Sequence, residues 1–201
     1  SSQAEASISS YSPPAALSSN TLEQRPAGEE TIVFTDSCNR DVTLPKNLTR
    51  VAPSGPAAQM VLYSLAPDKM IGWGTRPSQD VIGYYTPSAA ALPEFGQFYG
   101  KNATLNMEAL IAADPQVIID IGDMKPTHKE DMDALQKQIG IPVIFVEANL
   151  DTFPLAYRTL GNLLNETNQG EAIAAYIETT MSEARRIAEH IPDNERLTVF
   201  F

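Results

Sequence analysis

The feature that most constrains this chain is an alternation of short apolar strands with helices between residues 50 and 147. "RVA" (50–52) is strand-like. "PSGP" is a tight loop whose Pro56 opens a helix, "AAQMVLYSLA", and "PD" breaks it. "KMIGWG" (69–74) reads as a further strand. An irregular stretch follows, then "MEALIAA" as a helix, "DP" as a turn and "QVIIDI" as a strand. "PTHKEDMDALQKQIG" is amphipathic and closed by Gly140, and "IPVIFVE" is the next strand. Successive strands linked by helices pair in parallel, with the helices packed on the two faces of the sheet. The pattern therefore predicts an α/β lobe of three layers with a mainly parallel sheet.

The flanks extend this reading. "TIVFT", "DSCNRD" and "DVTL" predict an amino-terminal β-hairpin over 31–44, which Pro45 ends. "DTFPLAYRTLGNLLNE" predicts a helix over 152–166, completing a lobe that runs from 31 to 166. A long linking helix follows over 167–191, which at ~1.5 Å per residue would run about 35 Å. Residues 1–30 are rich in Ser, Ala, Pro and Glu, with too few apolar residues to offset the entropy of ordering them, and read as a disordered leader or tether. They lack an initiator Met and look like a processed or engineered start. The tail "LTVFF" within 196–201 reads as the first strand of a second lobe absent from this sequence. Such a strand, left without a partner, invites self-association.

Charge and cysteine content exclude several classes. The net charge of −11, from 14 basic and 25 acidic residues, opposes a nucleic-acid surface and simple adhesion to anionic lipid. The single cysteine, Cys38, precludes an intramolecular disulfide and a multi-cysteine metal centre. The two histidines, His128 and His190, are far apart in sequence and read as solvated helix residues. Any metal handled here is expected to arrive wrapped in an organic ligand, with no cofactor of its own. No G-x-G-x-x-G, P-loop or G-x-S-x-G elbow supports an enzyme.

In open α/β sheets ligands bind outside the carboxyl ends of the strands. Here those positions are Ser54-Gly55-Pro56, Trp73-Gly74, Gly122-Asp123 and Glu147-Ala148. The irregular stretch 75–103 brings Tyr84, Tyr85, Phe95, Phe98 and Tyr99 beside them. Singly, each aromatic reads as packing, and Trp73 reads equally as core. As a group they read as flat faces for a large, partly apolar chelate or macrocycle. Arg76, Lys101 and Lys125 are candidates for its anionic groups.

The order "TLPKNLTRVAPSGP", "LAPDKMIGWG", "FGQFYG", "LNMEALIAADPQVIID", "IPVIFVE" and one long helix resembles the periplasmic-binding-protein family that serves ABC importers of iron-siderophore, haem or cobalamin. The likeness covers about 31–201 and corresponds to the amino-terminal lobe and the linking helix. It implies two α/β lobes joined by a rigid helix, a metal chelate held between them and delivery to a membrane permease. It implies an extracytoplasmic location, in the periplasm or lipid-anchored on the outer face of the cell membrane. Glu108, in "NMEALIAADPQVII", matches the acid that pairs with permease arginines from an outer face of the lobe; its other reading is an acid favoured by the helix dipole. The alternative is a small α/β enzyme or regulatory domain using the same loops.

Overall fold

The computed structural model describes residues 30–99 and 103–198. The expected leader falls outside them except for Glu30, and so do residues 199–201 of the expected terminal strand; residues 196–198 carry no regular structure. β1 (Thr31–Thr35) and β2 (Asp41–Pro45) form the antiparallel hairpin. β3 (Val51–Pro53), β4 (Val117–Gly122) and β5 (Val143–Glu147) form a parallel sheet in that order. The helices are α1 (Pro56–Leu65), the one-turn α2 (Gln79–Ile82) and α3 (Pro87–Ala90), α4 (Met107–Ala113), α5 (His128–Ile139), α6 (Phe153–Leu163) and α7 (Thr167–Glu189).

Strand alternation sorts the core into two layers. Ile119, Ile121, Ile144 and Val146 join Val61, Leu62 and Leu65 of α1 and Ala156 and Leu160 of α6. Ile118, Val143 and Phe145 join Leu110 of α4, Met132 and Leu135 of α5, and Phe95 and Phe98. Successive side chains of a strand point to opposite faces, so the near-continuous apolar run of β4 is what a sheet covered on both sides needs. The outer edge of β5 is closed by the hairpin turn. Ser37 N donates to Phe145 O (2.9 Å), and Arg40 Nη1 donates to Val143 O (3.0 Å). A protected edge strand does not template further pairing.

The segment 69–74 is not the strand its sequence predicts. Met70 makes one bridge to Val51, and Ile71 N donates to Val51 O (3.1 Å). The chain then peels away because Gly72 lies under the ring of Phe95: a Cβ there would sit 2.2 Å from it. Trp73 instead bridges Glu94, so the excursion 75–93 leaves the sheet edge and returns to it.

Asn106 caps α4, its side chain accepting from Ala109 N (3.0 Å), while Thr104 Oγ1 accepts from Gln97 N (3.1 Å). One further reading changes. His128 is no solvated helix residue: it is buried, stacked on Phe145 with ring centroids 4.2 Å apart, and its Nδ1 accepts from Lys125 N (2.7 Å). His190 is exposed, as expected.

α7 is unbroken over 23 residues. Only Gly170 and Ala174 of it are buried. It meets α6 where Gly170 passes the Tyr157 carbonyl, and Arg158 of α6 is clamped between Glu171 (2.7 Å) and Glu178 (2.6 Å). Residues 182–189 are exposed, and Arg185 pairs with Asp151 ahead of α6 (2.5 Å).

Candidate functional site

The carboxyl ends of β3, β4 and β5 open on one edge of the sheet. Ser54 is the first residue after β3, and its amide still donates to Ile119 O (3.0 Å). Gly122 and Glu147 end β4 and β5 side by side, and Ala148 N donates to Gly122 O (2.9 Å). Gly74 brings the start of the excursion against this edge: a Cβ on it would lie 2.6 Å from Gly55 Cα. Only glycine permits that approach of two backbones. The returning segment 95–99 crosses the same edge, with Phe98 N donating to Ser54 O (3.1 Å).

At the centre is a residue that was not among the expected binding positions. Asp120 lies inside the apolar run of β4 and is 4% exposed. Ser54 Oγ donates to its Oδ1, and the Tyr99 hydroxyl donates to its Oδ2 at 2.5 Å. A carboxylate taken from water needs such donors, and hydroxyls on a carboxylate make short, strong hydrogen bonds. Burial, and then the charge and hydrogen bond of Asp120, push the Tyr99 phenol well above its usual range. The signal in the sequence was the lone carboxylate in "VIIDI": a charge in a strand buried on both faces demands partners.

The other expected positions divide into three groups. Trp73 and Phe98 are buried, which fits the packing reading of each and not the ligand-facing one. The Trp73 indole N–H donates to Ala89 O (2.9 Å), and its ring meets Tyr85 edge-on (5.0 Å) and Tyr63 (5.8 Å). Trp73 thus fixes the excursion to the lobe. Gly55 is buried against Gly74 and Gln97 and acts as backbone only. Tyr85 is half-buried in the same aromatic packing, and the exposed Arg76 donates to Ala90 O (2.7 Å) and Leu92 O (3.3 Å), stapling the excursion. The surface-facing members are Tyr84 (87% exposed), Asp123, the half-buried Glu147 and Gly122, and Lys125. Lys101 lies outside the described residues.

Glu108 is exposed in the first turn of α4. Asn106 N donates to Phe95 O (2.7 Å), so this turn stands beside the crossing segment rather than remote from it. A cavity of about 240 Å³ between β1 and α6 reaches Glu147. A wider groove of about 710 Å³ lies between α6 and α7 and is lined also by Leu150 and Asp151 of the loop after β5. Among the described residues no group of His, Cys, Asp and Glu is arranged to hold a metal ion, and no helix is long and apolar enough to cross a membrane.

A parallel three-layer lobe with an amino-terminal hairpin, an open strand edge and a long following helix is the form of one lobe of a periplasmic solute-binding protein of the ABC-transporter class. The solved structures it matches include such proteins. The ABC transporter solute-binding protein from Sulfurospirillum deleyianum superposes with a TM-score of 0.71 at 26% identity, over 82% of this chain and 51% of its own. The haem-binding protein HmuT gives 0.54 at 16% over 84% and 52%. The molybdate-binding MolA of Haemophilus influenzae gives 0.61 at 15% over 83% and 56%. The chain thus spans about half the length of the structures it matches. No protein-family model and no curated protein sequence matches it.

Proposed function

We propose that the chain is the amino-terminal lobe, residues 31–166, and linking helix of an extracytoplasmic receptor that captures a metal chelate and passes it to an ABC importer permease. The observation that carries this is the open edge formed by Ser54, Gly122 and Glu147 in a fold shared with solute-binding proteins. The matched protein from Sulfurospirillum deleyianum is an ABC transporter solute-binding protein, and HmuT is a haem binder.

The chemistry of the edge favours an organic chelate over a bare oxyanion of the kind MolA holds. An anion without organic bulk needs convergent N–H donors or cations. Arg76 is committed to two carbonyls, and among the surface-facing members the one cation, Lys125, is outweighed by two acids, Asp123 and Glu147. A ferric siderophore, haem or a corrinoid offers apolar area for Tyr84 and the half-buried rings beside it. Glu108 is the proposed docking acid for a permease arginine, and a lipid anchor at the native amino terminus would keep the receptor at the membrane.

Isothermal calorimetry with ferric desferrioxamine, haem and cyanocobalamin tests this reading. Saturable binding of at least one is expected, tighter in a two-lobed protein that closes over the cargo. Molybdate binding with no chelate binding would replace the proposal with an oxyanion receptor.

A further inference from the structure

Asp120 has both carboxylate oxygens committed. Oδ1 accepts from Ser54 Oγ and Oδ2 from the Tyr99 hydroxyl. Ser54 is itself held on both sides, its amide on Ile119 O and its carbonyl under Phe98 N. The Tyr99 ring packs on the buried layer of Phe95, Phe98 and Phe145. Its hydroxyl is therefore turned into the lobe. The titratable groups acting on it are Asp120, Asp131 and Cys38, and each disfavours a phenolate.

We propose that Asp120 is the positioning residue of this edge: it holds Tyr99 with its hydroxyl turned inward as a donor, so that Tyr99 offers cargo a ring and no oxygen ligand for a metal. This rests on the chelate-receptor reading above. A phenolate bound to iron would need Tyr99 to lose its proton beside a carboxylate, which like charge opposes. Swinging the hydroxyl out to a metal would leave buried Asp120 short of a donor. Tyr99 thereby adds nothing to the coordination shell of a bound metal. A hexadentate ferric chelate or cyanocobalamin asks nothing of Tyr99 but contact, whereas iron with open positions gains no bond from it.

Three readouts test the assignment. The first is tyrosine ionisation at 295 nm up to pH about 10.5, where an ordinary tyrosine of pKa about 10 is largely ionised. The wild type and Tyr99→Phe should give equal amplitude; loss of one tyrosine equivalent in Tyr99→Phe would overturn the proposal. The second is ferric nitrilotriacetate, which has open positions. Wild type should show no tyrosinate-to-iron charge-transfer band. Asp120→Asn should acquire one that the Asp120→Asn/Tyr99→Phe double variant lacks. A band in wild type that vanishes in Tyr99→Phe contradicts the proposal, and needs no Asp120 variant to fold. The third is affinity for ferric desferrioxamine and cyanocobalamin. Tyr99→Phe should stay within about threefold of wild type and Tyr99→Ala should weaken by about tenfold, the scale of one lost aromatic contact. A loss beyond about tenfold in Tyr99→Phe would show that the oxygen matters. If neither chelate binds wild type, the receptor reading fails, while the 295 nm titration still decides the Asp120–Tyr99 contact.

Discussion

Asp36 and Arg40 form a buried ion pair inside the hairpin turn, Oδ2 to Nη1 at 2.8 Å, with side-chain exposures of 0% and 5%. Asp36 Oδ1 also accepts from the amides of Cys38 (2.9 Å) and Arg40 (3.0 Å), and Arg40 Nε reaches Asp133 of α5 (2.7 Å). One pair thus shapes the turn, ties it to β5 and joins it to α5. Removing Asp36 leaves the buried Arg40 with only the largely exposed Asp133 as its counter-ion and takes the acceptor from the Cys38 and Arg40 amides. Asp36→Ala should cost about 3–5 kcal/mol in urea unfolding. Asp36→Asn combined with Arg40→Met should cost less than the two single changes summed. A loss below about 1 kcal/mol for Asp36→Ala would mean that water reaches the turn.

Gly170 of α7 sets how closely that helix approaches α6. A Cβ added to it would lie 2.6 Å from the Tyr157 carbonyl oxygen, which is backbone and has little room to move. Gly170→Ala should lower stability by about 1–3 kcal/mol in thermal or urea denaturation. Gly122→Ala is the control. A Cβ there meets nothing within 4 Å, so it should stay within about 0.5 kcal/mol of wild type. Equal effects would show that the two helices can separate freely.

Burial, and next the carboxylate of Asp36, raises the Cys38 thiol from 9.0 to about 11. The folded state therefore holds this proton more tightly than the unfolded chain. Its stabilising effect is complete below pH 9 and is lost as pH rises through about 11. The stability difference between wild type and Cys38→Ser should shrink or reverse between pH 8 and pH 10.5. At pH 8 the thiol should react with Ellman's reagent far more slowly than in the unfolded chain. Equal rates would place Cys38 at the surface.

Glu108 is the docking prediction. In the complete receptor, Glu108→Ala and Glu108→Arg should reduce uptake through the importer, with Glu108→Arg the more severe because it sets like charge against a permease arginine. Affinity for cargo should be unchanged in both. A parallel fall in cargo affinity would assign Glu108 to the ligand edge, beside the crossing segment.

The sheet, its helices and α7 were legible because each signal is local. "VIIDI" and "VIFVE" are apolar at strand length, Gly140 closes α5 with a left-handed residue, and Pro56 opens α1. What escaped depended on distant partners. "KMIGWG" has strand composition, but Gly72 and Gly74 serve the ring of Phe95 and the backbone of Gly55, and those approaches pull it from the sheet. His128 reads as polar until Phe145 is found stacked upon it. Asp120 was the costliest omission. Its partners Ser54 and Tyr99 lie 66 and 21 residues away, and only folding brings them together. Trp73 was assigned to the edge by its place after a strand, whereas its indole N–H finds Ala89 O in the interior.

The central claim is that cargo meets this lobe at the carboxyl ends of its parallel strands. Amide chemical-shift mapping during titration with ferric desferrioxamine, cyanocobalamin or haem tests it most directly, with gallium and zinc substitution where paramagnetism interferes. The account predicts that shifts cluster at Ser54, Tyr84, Tyr99, Gly122, Asp123 and Glu147. Shifts concentrated instead on Glu178, Met181 and Arg186, on the α7 side of the groove between α6 and α7, would contradict it.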